Sequence, residues 1–224
     1  MEITKGVHQV DGVNGNVYVL INGQELLLVD TGMPRSTKKI VNYIRTMGRQ
    51  PSNVSTILLT HCHMDHVGSA YELKKLTGAK VAVHEEDAAF AAGKESPPRP
   101  KGIVGILFKT ATVFCKFKPV QPDIILKEND RVDGLTVIHT PGHTPGSISL
   151  NDSERSVLFV GDTLRFIRGK LSGPPERFTL DLQQTKQSIE KISKLDFDTM
   201  LSGHGVPLKP KASDKVREFQ SSMK

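Results

Sequence analysis

Short apolar runs alternate with helical repeats over the first 90 residues. Residues 16–21 and 25–29 are rich in Leu and β-branched side chains and flank Asn22-Gly23, a pattern that predicts a β-hairpin. Between residues 36 and 47 the apolar positions recur at helical spacing, and Gly48 is placed to end that helix. This alternation favours a sheet covered by helices.

The same pattern predicts elements over most of the remaining chain. Further strands are expected at residues 54–60, 79–84, 136–139, 147–150, 156–160 and 197–201. Further helices are expected at residues 71–76, 85–92, 181–195 and 213–223. In the helix at 181–195 we expect Leu182, Ile189 and Ile192 to form part of the buried stripe. With 224 residues, one domain spanning 1–224 is the expected organisation.

One segment, residues 94–122, interrupts this regularity. It begins with a Pro-rich stretch, and its residues 94–118 carry six basic side chains against one acidic side chain. Residues 102–117 are amphipathic, which predicts a helical lid whose Ile106, Phe114 and Lys109 contact the substrate. The alternatives are a helix packed on the core or on a second subunit of a homodimer, and a helix lying on an anionic membrane surface.

Composition narrows the setting of the protein. The formal net charge is +6, which suits an anionic small-molecule substrate. The N-terminal residues do not resemble a signal peptide, and no apolar run is long enough to cross a membrane. The two cysteines, Cys62 and Cys115, do not form a disulfide framework. A cytoplasmic protein is therefore expected.

Five of the eight histidines lie in Gly- or Pro-rich loops directly after apolar strands. The sequence THCHMDH at 60–66 follows a buried run and supplies His61, His63, Asp65 and His66. Later strand ends supply His143 in PGHTPGS, Asp162 in GDT and His204 in SGHG. Because loops at strand ends of one sheet can converge, all seven side chains could face one point. His8, His84 and His139 are expected to have structural roles only.

This set of side chains suits metal binding. Neutral imidazoles favour zinc and its neighbours, while carboxylates add charge and can bridge two ions. Seven ligands exceed the need of one tetrahedral ion, whereas two ions sharing them would keep a position for water. We therefore predict two divalent ions per chain, with zinc expected and iron or manganese as alternatives.

The motifs THCHMDH, PGHTPGS, GDT and SGHG, in this order and after VDTG, resemble those of the metallo-β-lactamase superfamily. The resemblance implies a four-layer αββα sandwich of two mixed β-sheets flanked by helices, an α/β fold. By motif, His61, His63 and His143 would hold the first metal, and Asp65, His66 and His204 the second. Asp162 would bridge the two metals. Asp30 would not bind a metal itself but would orient the residues that do.

Departures from the patterns of known branches limit the activity. β-Lactamases of this fold lack a bridging carboxylate in the GDT motif, so Asp162 argues against antibiotic hydrolysis. The related nucleases carry an arm or an inserted domain for which this chain has no room, so nucleic acid is not an expected partner. The glutathione-dependent thioesterases carry a helical C-terminal domain, whereas about 20 residues follow Gly205 here. Small hydrolases of lactones, esters, thioesters or phosphoesters remain.

The resemblance implies that a hydroxide bridging two metals attacks the substrate, with Asp65 as both ligand and catalytic proton acceptor. One alternative is a mononuclear-iron persulfide dioxygenase, because two histidines and a carboxylate such as His61, His143 and Asp162 can hold iron. The other alternative is a metal-binding protein without activity. That class is disfavoured because structural zinc sites are usually closed by four protein ligands, often cysteines.

Overall fold

Each half of the chain forms one mixed β-sheet with flanking helices. The structure is a computed structural model that describes residues 1–96 and 118–223. Its two compact units are Met1–Leu126 and Lys127–Lys224. The predicted lid at 102–117, with Ile106, Lys109 and Phe114, lies outside the described residues.

The sheet of the first unit has the strand order β1 to β7. Its strands are Glu2–Thr4 (β1), Val7–Gln9 (β2), Tyr18–Asn22 (β3), Glu25–Val29 (β4), Val54–Leu58 (β5), Lys80–His84 (β6) and Ile124–Leu126 (β7). Neighbours from β1 to β4 are antiparallel, and neighbours from β4 to β7 are parallel. A two-residue turn closes the β3–β4 hairpin, because Asn22 is already paired with Glu25. The turn therefore lies one residue later than predicted.

Helices connect the parallel strands of this first sheet. They are Thr37–Thr46 (α1), Met64–Val67 (α2), Ala70–Thr77 (α3) and Glu85–Ala91 (α4), with a 3-10 turn at Pro51–Asn53. Helix α1 buries Ile40, Val41 and Ile44, the stripe expected from the sequence. Gly48 and Gly78 have φ values of 71° and 76° directly after α1 and α3, and this left-handed conformation ends both helices.

The sheet of the second unit has the order β14-β11-β10-β9-β8, and a separate hairpin pairs β12 with β13. These strands are Arg131–Val132 (β8), Leu135–His139 (β9), Ile148–Asp152 (β10), Val157–Gly161 (β11), Arg165–Ile167 (β12), Lys170–Ser172 (β13) and Thr199–Ser202 (β14). Only the β11–β14 pair of this sheet is parallel. The unit also contains helices Leu182–Ser193 (α5) and Ala212–Ser222 (α6) and a 3-10 turn at Glu176–Phe178.

One predicted core residue of α5 is not in the core. Leu182 is 42% exposed, whereas Ile189 and Ile192 are buried in the apolar cluster of the second unit, as predicted. The buried face of α5 also contains Thr185 and Ser188, and the Ser188 hydroxyl donates to the Pro141 carbonyl at 2.7 Å. The helix thus packs the small polar side chains of Thr185 and Ser188 against the loop that carries His143, while Leu182 at its start is exposed.

No helix in the described ranges, 1–96 and 118–223, has both the length and the apolar composition that a membrane span requires.

Candidate metal site

The first four predicted ligands lie where β5 ends. After β5 the chain bends at Thr60, and His63 is extended, with φ and ψ of −76° and 150°. An extended chain turns alternate side chains to the same side, so His61 and His63 lie together, with ring centroids 4.9 Å apart. Both imidazoles are buried. Cys62 points the other way, into the apolar cluster of the first unit.

Helix α2 begins directly after His63 and adds the next two side chains. The His66 amide donates to the His63 carbonyl at 2.9 Å, which closes this short turn. His66 is fully buried, and its ring centroid lies 4.0 Å from that of His61. Asp65 is 30% exposed, and its Oδ2 lies 3.9 Å from His66 Nε2. The pairs His61 with His63, His61 with His66, and Asp65 with His66 each bring ligand atoms within 4.8 Å of one another.

Asp30 organises this loop from the end of β4, which lies beside β5. Its buried carboxylate accepts three hydrogen bonds: from the Thr60 amide at 2.8 Å, the Thr60 hydroxyl at 2.7 Å and His66 Nδ1 at 2.8 Å. Because a carboxylate only accepts, His66 must carry its proton on Nδ1. The Thr60 hydroxyl already donates its hydrogen to Asp30, so its oxygen accepts from His61 Nδ1 at 3.1 Å. Both imidazoles are thereby held with the Nε2 lone pair available to a metal.

The other three predicted ligands lie at one edge of the second sheet. Asp162 and His204 follow β11 and β14, which are parallel neighbours that pair Gly161 with Ser202. His143 lies in the β9–β10 connection, and β10 begins at this same edge because it is antiparallel to β11. Asp162 Oδ2 lies 3.5 Å from His143 Nε2 and 3.4 Å from His204 Nε2.

A threonine sets the tautomer of His143 as Thr60 sets that of His61. The Thr179 hydroxyl donates to the Pro175 carbonyl at 2.9 Å, so it accepts from His143 Nδ1 at 3.4 Å. The Nε2 atom that faces Asp162 then carries a lone pair. A lone pair and a carboxylate oxygen repel each other unless a proton or a cation lies between them.

The spacing of these atoms fits a shared cation. Two ligands about 2.0–2.1 Å from one zinc ion in tetrahedral geometry are about 3.3–3.4 Å apart. The 3.4 Å and 3.5 Å separations at Asp162 Oδ2 are close to this value. The structure thus collects the seven predicted ligands in two sets, one in each unit, with nitrogen and oxygen donors of the types that zinc, iron and manganese accept.

The remaining three histidines make structural contacts, and their having no other role stays a prediction. His139 Nε2 bonds the Pro145 carbonyl at 2.8 Å within the loop that carries His143. His84 Nδ1 accepts from the Glu86 amide at the start of α4. His8 Nδ1 lies 3.3 Å from the Tyr43 hydroxyl, and burial lowers the pKa of His8 more than the neighbouring carboxylate raises it.

Three further residues, which the sequence motifs do not include as site residues, contact the ligand loops. They are Thr60, Thr179 and Asp87, which accepts from the Cys62 amide at 2.8 Å. Thr60 directly precedes His61 and could have been suspected from that position. Thr179 and Asp87 are remote in sequence from the residues they contact, and no local pattern marks them.

Comparison with known protein families and sequences gives consistent matches. A model described as the metallo-beta-lactamase superfamily matches residues 10–204. The "Probable metallo-hydrolase YflN" of Bacillus subtilis is 32% identical over 228 residues, covering 92% of this chain and 86% of that protein. The "Acyl-coenzyme A thioesterase MBLAC2" of Homo sapiens is 28% identical over 225 residues, covering 86% of this chain and 74% of that protein.

Solved structures agree with these matches. The subclass B3 metallo-β-lactamase BJP-1 of Bradyrhizobium japonicum has a TM-score of 0.74 and 26% identity, covering 100% of this chain and 90% of that chain. TTHA1623 in a di-iron-bound form has a TM-score of 0.71 and 26% identity, covering 91% of this chain and 93% of that chain. Relatives with this fold therefore include both a β-lactamase and a protein that holds two iron ions.

Proposed function

Because this chain belongs to the metallo-β-lactamase superfamily and has its fold, two mixed sheets with flanking helices, we propose that it is a hydrolase dependent on two divalent metal ions. The proposal joins the two ligand sets into one dinuclear centre. His61, His63 and His143 would hold the first ion, and Asp65, His66 and His204 the second. Asp162 would bridge the two ions.

The position of Asp162 carries this proposal. One oxygen of its carboxylate lies within 3.5 Å of the Nε2 atoms of His143 and His204. In the proposed centre these two imidazoles bind different ions. A carboxylate oxygen close to a ligand of each ion is in the position that a bridging ligand requires. The hydrogen bonds that Asp30, Thr60 and Thr179 make with the imidazoles add support, because they keep ligand lone pairs on Nε2.

When bound, two divalent ions would lower the pKa of water to about 7 and would polarise the carbonyl or phosphoryl oxygen of the substrate. The protein side chains supply the rest of the chemistry. Asp65 is partly exposed, so its carboxylate can receive a proton from the attacking water and pass it toward the leaving group. His61, His63, His66 and His143 are buried, which limits competition by bulk water at those nitrogens.

The expected substrate has an ester-type bond: a lactone, ester, thioester or phosphoester. The β12–β13 hairpin supports an anionic substrate that also has an apolar part. Its Phe166 and Leu171 pack on the core, so alternation turns the side chains of Arg165, Ile167 and Lys170 to the opposite face. Phe166 also bridges to Gly205, next to His204. We therefore propose that this cationic face binds the anionic part of the substrate.

A metal titration combined with a substrate panel tests the function. Purified protein should contain about two equivalents of divalent metal, with zinc proposed, and chelation should remove both metal and hydrolysis. The panel holds lactones, esters, acyl thioesters, phosphodiesters and β-lactams. Hydrolysis of none of them after reloading with zinc, manganese or iron would contradict the proposal. One stable iron with oxygen uptake on a persulfide would instead establish the dioxygenase alternative.

Charge variants test the substrate class separately. Lys170→Gln should raise KM for anionic thioesters several-fold and leave neutral esters unchanged, and added salt should reduce this difference. Lys186→Gln is the matched control, because Lys186 is an exposed lysine on α5. Equal effects of the two variants would refute the role of the hairpin but not the hydrolase itself. A cytoplasmic location and contacts of Ile106, Lys109 and Phe114 with substrate stay predictions.

A further inference from the structure

Asp87 is a fully buried carboxylic acid in the first turn of α4. Its side-chain Oδ2 accepts the backbone N–H of Cys62 at 2.8 Å, and its backbone carbonyl accepts the Cys62 thiol at 3.4 Å. Strand β6, which leads into α4, is the parallel neighbour of β5, which leads to the histidine loop. Two adjacent strand ends are therefore joined through Asp87 and Cys62.

The bond to the Cys62 amide acts on the histidines to either side of it. That N–H belongs to the peptide plane between His61 and Cys62, so fixing its direction restricts ψ of His61 and φ of Cys62. These are two of the four backbone angles that set where the His61 and His63 side chains point relative to each other. A carboxylate acceptor makes this bond shorter and stronger than a neutral acceptor would.

The chemistry of the position argues for more than packing. Burying a carboxylate carries a large desolvation cost, which hydrogen bonds to the charged group must offset. The buried Asp87 side chain bonds the backbone of the ligand loop at the one residue between two imidazoles.

We propose that Asp87 is a positioning residue for metal binding, which holds the His61 and His63 imidazoles in a geometry ready for a divalent ion. This inference rests on the proposed metal site but not on any substrate. Without the Asp87 acceptor, the 61–62 peptide can rotate, and the ion must then reorder the loop when it binds. The cost should appear in metal affinity and in the geometry of the bound ion.

Two substitutions separate the acceptor from its charge. Asp87→Ala removes the acceptor and should weaken metal binding about 10- to 100-fold, which is the typical effect of losing a residue that positions metal ligands by hydrogen bonds. Asp87→Asn keeps the size and one acceptor oxygen, so it should recover most of that loss. Cys62→Ala removes the thiol but leaves the backbone N–H in place, so metal affinity should stay within about threefold of wild type.

The control is a buried carboxylic acid remote from the ligands. Asp152 is equally buried and accepts from the Arg155 amide and guanidinium at 3.1 Å and 2.7 Å. It ends β10, whereas the His143 loop leads into the start of that strand, about 13 Å away at 3.3 Å per residue. Asp152→Ala should lower the melting temperature without changing metal affinity, which is what a purely structural carboxylate does.

The measurements use chelator competition for zinc, visible absorption of the cobalt-loaded protein, and thermal unfolding of the metal-free protein. The proposal expects Asp87→Ala to weaken binding and to shift the cobalt spectrum, whereas Asp152→Ala does neither. Wild-type affinity and an unchanged spectrum in folded Asp87→Ala would overturn it, as would equal losses in Cys62→Ala and Asp87→Ala. If Asp87→Ala does not fold, Asp87→Val, which also lacks the acceptor but fills more of the space, is measured in its place with the same expected and contradicting outcomes. Wild-type protein that binds no metal would instead refute the proposed function.

Discussion

Replacing Asp30 by Asn should separate metal affinity from stability. The wild-type carboxylate accepts from the Thr60 amide, the Thr60 hydroxyl and His66 Nδ1. An Asn side chain can keep the first of these bonds with its oxygen, but its NH₂ group then faces the other two partners. Asp30 has a φ of 62°, which Asn adopts readily, so the backbone adds little strain.

The donors can be matched again only if protons move. His66 would accept at Nδ1 and carry its proton on Nε2, and the Thr60 hydroxyl would turn and donate to His61 Nδ1. His61 then also carries its proton on Nε2. Both shifts place a proton on the atom that a metal needs, so binding has to reverse them.

The expected loss follows from this count of hydrogen bonds. Each imidazole that loses its orienting partner should weaken its ion by about 10- to 100-fold, or about 1.4–2.7 kcal/mol. His61 and His66 belong to the proposed sets of different ions, so both equivalents should weaken. The metal-free protein should lose only about 1 kcal/mol, since every buried donor keeps an acceptor. Asp30→Ala should lose more stability, because it leaves buried donors without an acceptor, and each such donor costs about 1–3 kcal/mol of folding free energy.

Nitrogen-15 NMR of the imidazoles reports the tautomers in the metal-free protein, and chelator competition reports the affinity. Asp152→Asn is the control, since that buried carboxylate contacts Arg155 and not an imidazole. Nδ1-protonated tautomers together with wild-type affinity in Asp30→Asn would contradict this prediction. A lower affinity with the tautomers of the wild type would contradict it as well.

Three further outcomes are expected. Burial raises the pKa of Asp123, but the Lys74 ammonium and a backbone N–H outweigh it, and the net pKa is lowered. The stabilisation that Asp123 contributes should therefore be present above the unfolded pKa of about 3.9 and be lost as pH falls through the folded pKa. In urea unfolding, Asp123→Asn should have a free energy of unfolding about 0.5–1 kcal/mol below that of the wild type at pH 7, and the difference should disappear in acid. Gly205→Ala should destabilise the protein by about 1–3 kcal/mol in thermal unfolding, because a Cβ would lie 2.2 Å from a hairpin carbonyl oxygen at a φ of 100°, and an unchanged melting temperature would contradict this close approach. In a Cys115→Ser background, Cys62 should resist alkylation at pH 8 until the protein unfolds, because burial raises the pKa of its thiol, and rapid labelling of the native protein would contradict that.

Local patterns were sufficient wherever a helix or strand carries its own boundary signals. Helix α1 has three buried residues at helical spacing and a glycine with positive φ just beyond its end, so the spacing alone predicts it. Strands β1, β2, β12 and β13 were not predicted, because three residues are too few for alternation to register. Leu182 was wrongly placed in the core for a related reason. The sequence pattern marks apolar residues only, whereas the buried face of α5 includes Ser188, whose hydroxyl donates to the Pro141 carbonyl. The apolar character of Leu182 therefore did not predict its burial.

The sequence by itself also determined which residues can hold a metal, because imidazoles and carboxylates at strand ends are recognisable without coordinates. It could not determine which of them meet. Asp162 and His204 lie at one edge because β11 and β14 pair in parallel, and that pairing joins segments some 40 residues apart. The partners behind the ligands depend on tertiary structure even more. Asp87 reaches the Cys62 amide only because β6 lies beside β5, and Thr179 reaches His143 only after the chain has passed through the hairpin. Such contacts follow from the free energy of the whole packed chain, so no short window of sequence contains them.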